Sequence, residues 1–264
     1  MPLHLVTLGI ITSIFMIARR LDLPMSSPPD LSAKCLISAL LLFHSLNSCG
    51  ASVPNSVSWS ISAEMVMYLT FPLVTIIFRR SRAIRISTVI ATATLLIYVS
   101  GGVTNLTTTF YFWRAITPFM FGVALYYERN DLRISQDFRW APIFLAVLIF
   151  AGSFLQWPRL LLAASAYALA GITIALDVSG IKSVLAQKLS KFGELTYSIY
   201  MLHLLVILIL TNILADKFGK LAQAPLILAT ICAWVIVGVV STVSFSRFES
   251  PSRRRLNGLV GRGS

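Results

Sequence analysis

One apolar run constrains this chain more than any other feature. It extends over 20 residues, from Trp59 to Phe78, and is therefore long enough to cross a lipid bilayer as a helix. Glu64 is the only charged residue in it. A charge near the bilayer centre costs about 2.5–3.5 kcal/mol on insertion scales, so such residues are rare and usually functional. Ser60, Glu64 and Tyr68 share one helical face, and we expect that face to point into a helix bundle.

The composition indicates a membrane protein. Only 12% of the 264 residues are charged and the mean hydropathy is +0.80, whereas a soluble protein carries about 25% charged residues. We therefore predict an all-α, polytopic membrane helix bundle forming a single domain over residues 1–264. The net charge of +12 is expected from basic residues that flank membrane helices. No segment interleaves Lys or Arg with aromatic residues, so we expect no nucleic-acid partner.

The number of membrane spans is left open between eight and nine. The apolar segments are 3–18, 35–46, 59–78, 84–101, 113–127, 141–155, 160–176, 195–214 and 225–245. Segment 35–46 has only 12 residues, a length more typical of a re-entrant or interfacial segment than of a span. Segment length thus favours eight spans with the N-terminus inside, whereas counting Lys and Arg favours nine with the N-terminus outside.

The distribution of Lys and Arg predicts the orientation of the bundle. The basic residues concentrate in loops 79–85, 128–140 and 177–192 and in the tail after Ser246. These regions, including the C-terminus, are therefore expected on the cytoplasmic side of a plasma (bacterial inner) membrane. The helix from Trp59 to Phe78 would then run from outside to inside, with Glu64 in its outer half.

The three cysteines, Cys35, Cys49 and Cys232, form no CxxC or Cys/His pattern, so no metal site is predicted. We expect Cys35 and Cys232 to be packing residues. Cys49 lies in a polar loop with no partner indicated by the sequence.

A second polar cluster occupies residues 192–203. Tyr200 and His203 are three residues apart and can share a helical face. His203 is either a general base or proton relay, or a histidine that hydrogen-bonds a neighbouring helix for packing. Arg114, at the start of another helix, either binds an anionic substrate group or extends to the interface. Near the C-terminus, we expect Glu249 to pair with the arginines that follow it, and Pro251 to end the last helix.

Four sequence elements together resemble the acyltransferase-3 family of integral membrane O-acyltransferases. The first is Trp59-Ser60-Ile61-Ser62-Ala63-Glu64 with Tyr68 and Phe71-Pro72, which is similar to the family's W-S-L-S-x-E…Y…F-P. The others are Arg114 with Phe119 and Gly122, the segment from Gly193 through Thr196-Tyr197-Ser198-Ile199-Tyr200-Met201-Leu202-His203, and Phe248-Glu249-Ser250-Pro251. They occur in the family's order and extend over the whole chain.

The resemblance implies a bundle of about ten helices that transfers an acyl group, often acetyl, from acyl-CoA to a hydroxyl of a glycan or other extracytoplasmic acceptor. The expected partners are the bilayer, acyl-CoA as co-substrate and a glycan or lipid-linked acceptor, with no bound cofactor. Family members carry two further helices before this point, the first bearing the histidine taken as catalytic. The chain is therefore expected to be N-terminally truncated, which favours eight spans, and either inactive or completed by a partner. The catalytic histidine is not assigned to His4, His44 or His203.

The resemblance also suggests roles for individual residues. Glu64, Ser60 and Tyr68 would hydrogen-bond the catalytic base or the acceptor, and His203 and Tyr200 would line the same cavity. Positive charge for the phosphates of acyl-CoA would come from Arg79, Arg80, Arg82 and Arg85, and Arg114 would meet an anionic substrate group. Two alternatives remain from the sequence: a proton-coupled transporter, and a non-catalytic remnant or accessory subunit.

Overall fold

The computed structural model describes residues 2–22, 28–46, 49, 53–99, 111–181, 190, 192–218 and 223–260. These residues contain helices and no strand, which confirms the all-α prediction for this part of the chain. The α-helices, numbered in chain order, are α1 (Pro2–Arg20), α2 (Ala33–Leu40), α3 (Trp59–Phe78), α4 (Arg82–Val99), α5 (Tyr111–Glu128), α6 (Ala141–Phe154), α7 (Arg159–Val178), α8 (Thr196–Phe218), α9 (Gln223–Ser244) and α10 (Ser250–Val260). A π-helical turn, Phe245–Glu249, joins α9 to α10.

Within the described ranges, five helical segments are long and apolar enough to cross a membrane. They are Leu3–Arg20, Ser56–Phe78, Gln136–Phe154, Arg159–Val178 and Thr230–Arg255, and Thr196–Ile209 is a shorter apolar helix. This agrees with a polytopic membrane protein. The total of eight or nine spans, and the orientation of each span, stay predictions.

Segment 35–46 does not cross the membrane as one helix. Its helix, α2, has 8 residues and is therefore about 12 Å long at 1.5 Å per residue. The chain then reverses at Leu42, which has a φ of 60°, and the N–H of Phe43 donates to the carbonyl of Ser38 at 2.8 Å. This is the Schellman closure that ends many helices, here with leucine where glycine is usual. The short helix agrees with the interpretation of segment 35–46 as a segment that does not span, and the total number of spans stays a prediction.

One hydrogen bond beside α1 is not what eight spans would predict. The amide Nδ2 of Asn55 donates to Oγ1 of Thr7 at 3.2 Å, so the residues before α3 lie beside the first turns of α1. Eight spans would put the start of α1 and the start of α3 on opposite faces of the membrane. Segment length thus favours eight spans, whereas this contact favours nine.

Cys35 and Cys49 form a disulfide, with their Cα atoms 4.8 Å apart. The expectation that Cys35 is only a packing residue and that Cys49 has no partner is therefore wrong. The reversal of the chain after α2 brings the two cysteines together. The spacing of residues in the sequence does not predict such a reversal. Cys232 is a free, exposed cysteine on α9.

The chain divides into two compact units. The first comprises residues 1–44, 48–59 and 189–264, and the second comprises residues 45–47 and 60–188. In the first unit α8 packs against α9 and α1 packs against α8. Leu8, Ala39 and Val53 form a small buried cluster there, with Cys49 packed against it. Pro251 does not end the last helix but is the second residue of α10, which follows the π-helical turn directly.

In the second unit, α4 packs against α5 and α6 packs against α7. α3 contributes Val74 and Phe78 to a buried cluster with Val123 of α5. The α6–α7 pair is tight at Gly152, where an added Cβ would lie 2.8 Å from Leu162 and 2.9 Å from Trp157. A larger residue at position 152 would therefore require the side chains of Leu162 and Trp157 to move.

Candidate functional site

The polar face of α3 carries a hydrogen-bonded pair. The hydroxyl of Tyr68 donates to Oε1 of Glu64, one helical turn away. Glu64 and Tyr68 are exposed, the latter to 58%, and Ser60 is half-buried. Among the residues described, the expectation that this face points into a bundle is therefore wrong. The covered face of α3 is instead the one bearing Ile61, Ser62, Ala63, Met67, Val74 and Phe78.

The buried polar residue at the start of α3 is Ser62, which sequence reasoning did not single out. Its hydroxyl donates to Oγ of Ser45 at 2.9 Å, and the backbone N–H of Ser45 donates to Oγ of Ser62 at 2.9 Å. Ser62 is completely buried. The only sequence signal was its place in the W-S-x-S-x-E pattern, which marked the motif but did not distinguish Ser62 from Ser60.

His203 and Tyr200 are in contact on α8, as their spacing predicts. Nδ1 of His203 lies 2.6 Å from the carbonyl oxygen of Tyr200, and the ring centroids are 5.6 Å apart. A carbonyl oxygen can only accept, so Nδ1 carries the hydrogen and a neutral His203 keeps an acceptor lone pair on Nε2. This bond lies within α8 and does not reach a neighbouring helix. The arrangement is compatible with a role for Nε2 in accepting a proton.

Glu249 does not form the predicted ion pair. Within the described residues, its carboxylate oxygen Oε2 accepts from the hydroxyl of Ser198 at 2.6 Å, and both residues are buried. Glu249 is the last residue of the π-helical turn after α9, and the arginines of α10 that follow it are exposed.

The basic residues around the α3–α4 turn are not equivalent. Arg85 is 14% exposed: its Nε donates to Oε1 of Glu128 at 2.7 Å, and a terminal nitrogen donates to the carbonyl of Phe78 at 2.7 Å. Arg82 is 65% exposed, and its Nε lies 3.4 Å from Oε2 of Glu128. Arg79 and Arg80 are exposed, and Arg114 is half-buried in the first turns of α5. The guanidinium of Arg85 is therefore occupied by protein groups, which counts against its predicted role at acyl-CoA phosphates.

A chain of buried hydrogen bonds in the first unit was missed from the sequence. Nε2 of His4 bonds the carbonyl of Ala39 at 3.0 Å, and Thr7 donates to the carbonyl of His4 at 3.0 Å. Thr7 accepts from Asn55, as described above. Ser58 then donates to the carbonyl of Asn55 at 2.7 Å and bonds Nε2 of His44 at 3.2 Å. All four polar side chains and His44 are at most 3% exposed. Polar residues within apolar segments indicated that something would have to satisfy them. The sequence did not show which of these distant residues bond one another.

His44 is neutral at pH 7. Burial, together with the nearby His4, lowers the pKa of His44 from 6.5 to about 4. A neutral imidazole has one donor and one acceptor nitrogen, so only one of its two nitrogens can donate. No three His, Cys, Asp or Glu side chains gather as a metal site requires in the described part of the chain.

A comparison with protein families identifies the class of protein. The family model described as an acyltransferase domain matches residues 4–245. The chain belongs to the acyltransferase-3 family. Neither a curated protein nor a solved structure matches it.

The structure connects elements that this acyltransferase-3 chain carries far apart in sequence. Ser198 belongs to the 193–203 element and Glu249 to the 248–251 element, and the buried hydrogen bond joins them. Phe119, from the element that begins at Arg114, packs edge-to-face on Phe71 of α3 at 6.2 Å between ring centroids. Motif residues thus contribute to packing within each unit as well as to polar sites.

Proposed function

We propose that this chain is a membrane O-acyltransferase that moves an acyl group from acyl-CoA to a hydroxyl of a glycan or lipid-linked acceptor. The observation that carries the proposal is the hydrogen-bonded pair of Glu64 and Tyr68, which lies inside the family's W-S-x-S-x-E element. An exposed carboxylate on a membrane helix is costly and therefore usually functional.

The reaction requires groups that hold a hydroxyl and manage one proton. The acceptor oxygen forms a bond to the thioester carbonyl carbon, the carbon–sulfur bond breaks, and the hydroxyl proton is transferred to a base and finally to the CoA thiolate. An ionised carboxylate has two oxygens and about four acceptor positions, so Glu64 can hold Tyr68 and an acceptor hydroxyl together. Nε2 of His203 is a further proton acceptor, with Tyr200 fixing its tautomer. We assign the base itself to no residue.

Acyl-CoA is an anionic co-substrate, and exposed arginines suit its phosphates. Arg79, Arg80 and Arg82 are exposed around the α3–α4 turn, whereas Arg85 is engaged with Glu128. We therefore assign the first three to acyl-CoA binding. Arg114 keeps its proposed role towards an anionic group of the substrate.

The test is transfer from radiolabelled acetyl-CoA in membrane vesicles that contain the protein, with release of free CoA thiol measured in the same sample. We expect label to enter a membrane-associated acceptor in step with thiol release. Uptake of a solute without thiol release would support a proton-coupled transporter instead. Absence of both would support an accessory subunit and contradict the proposal.

A further inference from the structure

The structure contains a cavity beside the last turns of α1. Its volume is about 360 Å³, and it lies within the first compact unit. The described residues that line it are Phe15, Arg19, Pro28, Pro29 and Leu31. Small-molecule sites in proteins begin at about 300 Å³, so the cavity can hold a small ligand or one part of a larger one. These residues precede all four family elements in the chain, and the proposed reaction does not use them.

Two segments of the chain form the walls of this cavity. Phe15 and Arg19 are four residues apart on α1 and therefore share one helical face. The second wall precedes α2, and its two prolines are rigid residues without an N–H donor. The N–H of Ser32 donates to Oδ1 of Asp30 at 2.9 Å, which closes a turn in this wall, and Ser32 in turn caps α2. The cavity is therefore bounded by a helix on one side and by a hydrogen-bonded turn on the other.

The lining combines one positive charge with an apolar surface. Arg19 is the only charged residue among the described lining residues, and the other four are apolar. Both ion pairs found in the described part of the chain involve Glu128, so Arg19 takes part in neither. A guanidinium can bind a phosphate group through two parallel hydrogen bonds. The lining therefore fits a ligand in which a phosphate group adjoins an apolar part.

The position of Arg19 indicates the source of that phosphate. The segment Leu3–Arg20 is long and apolar enough to cross a membrane, and Arg19 is its second-last residue. An arginine at the end of a membrane helix lies at the depth of the lipid headgroups, where the phosphate of a phospholipid adjoins its glycerol and chains. Inorganic phosphate would leave the apolar lining uncovered, whereas a phospholipid covers it.

We propose that this cavity is a binding site for an anionic phospholipid. Arg19 binds the phosphate, and the apolar lining residues cover the glycerol and the first carbons of the chains. The cavity volume suits this part of a lipid rather than the whole molecule, whose remaining chain carbons stay in the bilayer. The site is independent of the proposed function, because it requires no acyl transfer.

The test measures binding of a short-chain phosphatidylglycerol to the full chain, purified in neutral detergent, by native mass spectrometry. Arg19→Gln should raise the Kd about tenfold or more, because the phosphate loses its charged partner. Arg20→Gln is the matched control, since Arg20 is the neighbouring exposed arginine and is not among the described lining residues. Its Kd should change less than about twofold. Phe15→Ala should raise the Kd about fivefold through lost apolar contact, whereas Met16→Ala, at an exposed position beside it, should not.

Equal losses of affinity in Arg19→Gln and Arg20→Gln would overturn the site, because they would show a general attraction of this helix end to anionic lipid. If Arg19→Gln yields no folded protein, the comparison of Phe15→Ala with Met16→Ala decides, and equal Kd values in these two variants would overturn the site as well.

Three further probes identify the source of the phosphate in the wild type. Phosphatidylcholine of the same chain length should bind at least about tenfold more weakly, because its positive choline group opposes Arg19. Inorganic phosphate and free CoA, at the same concentration, should not displace phosphatidylglycerol. Equal affinity for phosphatidylcholine, or displacement by inorganic phosphate or CoA, would overturn the assignment to an anionic lipid.

Discussion

The hydroxyl of Ser198 donates a 2.6 Å hydrogen bond to the carboxylate of Glu249, and this bond joins the start of α8 to the π-helical turn after α9. Both side chains are buried, and a buried carboxylate is tolerated only where donors satisfy it. π-Helical turns are rare and are often retained at functional sites. The pair therefore fixes the geometry of two motif elements at once.

Removing the donor of this pair should destabilise the fold. Ser198→Ala leaves the buried carboxylate of Glu249 without its described partner, which we expect to lower the free energy of unfolding by about 1–3 kcal/mol. The measurement is thermal or denaturant unfolding of the purified protein in detergent. Ser241→Ala, which removes a buried hydroxyl that has no hydrogen-bond partner among the described residues, should unfold like the wild type. Equal stability of Ser198→Ala and Ser241→Ala would contradict this reading of the pair.

Reversing the exposed charges near α3 should weaken acyl-CoA binding. We expect Arg79→Glu/Arg80→Glu to raise the KM for acetyl-CoA at least about tenfold, because two attractive charges become repulsive towards the phosphates. Arg133→Glu, in another exposed loop, is the control for a charge reversal elsewhere on the surface. Arg85→Lys should lower stability through its lost contacts to Glu128 and Phe78 while leaving this KM unchanged. A KM that responds to Arg133→Glu as strongly as to the double variant would remove the loop from the mechanism.

The disulfide between Cys35 and Cys49 should contribute to stability. Closing a loop of about 15 residues is worth about 3 kcal/mol in the chain-entropy account, so Cys35→Ser/Cys49→Ser should unfold at a lower temperature. In the unfolded, non-reduced protein an alkylating reagent should label Cys232 alone, and all three cysteines after reduction, as read by mass spectrometry. Labelling of three cysteines without reductant would show that the bond is absent. Cys232→Ser provides the matched background in which only the pair remains.

Stability should fall as the pH is lowered towards 4. The pKa of His44 is about 4 in the folded chain and 6.5 in the unfolded chain, so between these values the unfolded state binds more protons. Lowering the pH through that window therefore favours unfolding, by up to about 3 kcal/mol from this one group. His44→Gln should flatten this part of the stability–pH curve, whereas Ser241→Ala should not. An unchanged curve in His44→Gln would show that His44 does not titrate as its burial implies.

Much of the architecture was predictable because hydrophobic periodicity and length alone specify a membrane helix. The predicted run from Trp59 to Phe78 matches the bounds of α3, and the 12 residues of segment 35–46 indicate a segment shorter than an ordinary span. The contact between His203 and Tyr200 followed from helical spacing, which is a local property. Family motifs then supplied the class of protein.

The remainder depends on contacts between residues distant in sequence. The Cys35–Cys49 disulfide requires the chain to reverse at Leu42. Leu42 has a left-handed backbone conformation, which leucine rarely adopts and which no sequence pattern predicts. Which face of α3 is covered was predicted wrongly, because the choice between Ser60 and Ser62 depends on what packs beside the helix. The sequence predicts an ion pair of Glu249 with nearby arginines, but its carboxylate instead accepts from Ser198, 51 residues away in the chain.

The most direct test of the account compares acyl transfer by the wild type, Glu64→Gln, Tyr68→Phe and Tyr98→Phe in vesicles supplied with radiolabelled acetyl-CoA. Tyr98→Phe is the control, since Tyr98 is an exposed tyrosine of α4 away from the motif. We expect Glu64→Gln to lower kcat at least about a hundredfold and Tyr68→Phe about tenfold, with Tyr98→Phe unchanged. Full transfer activity in Glu64→Gln would contradict the role of the α3 carboxylate on which the proposed function depends.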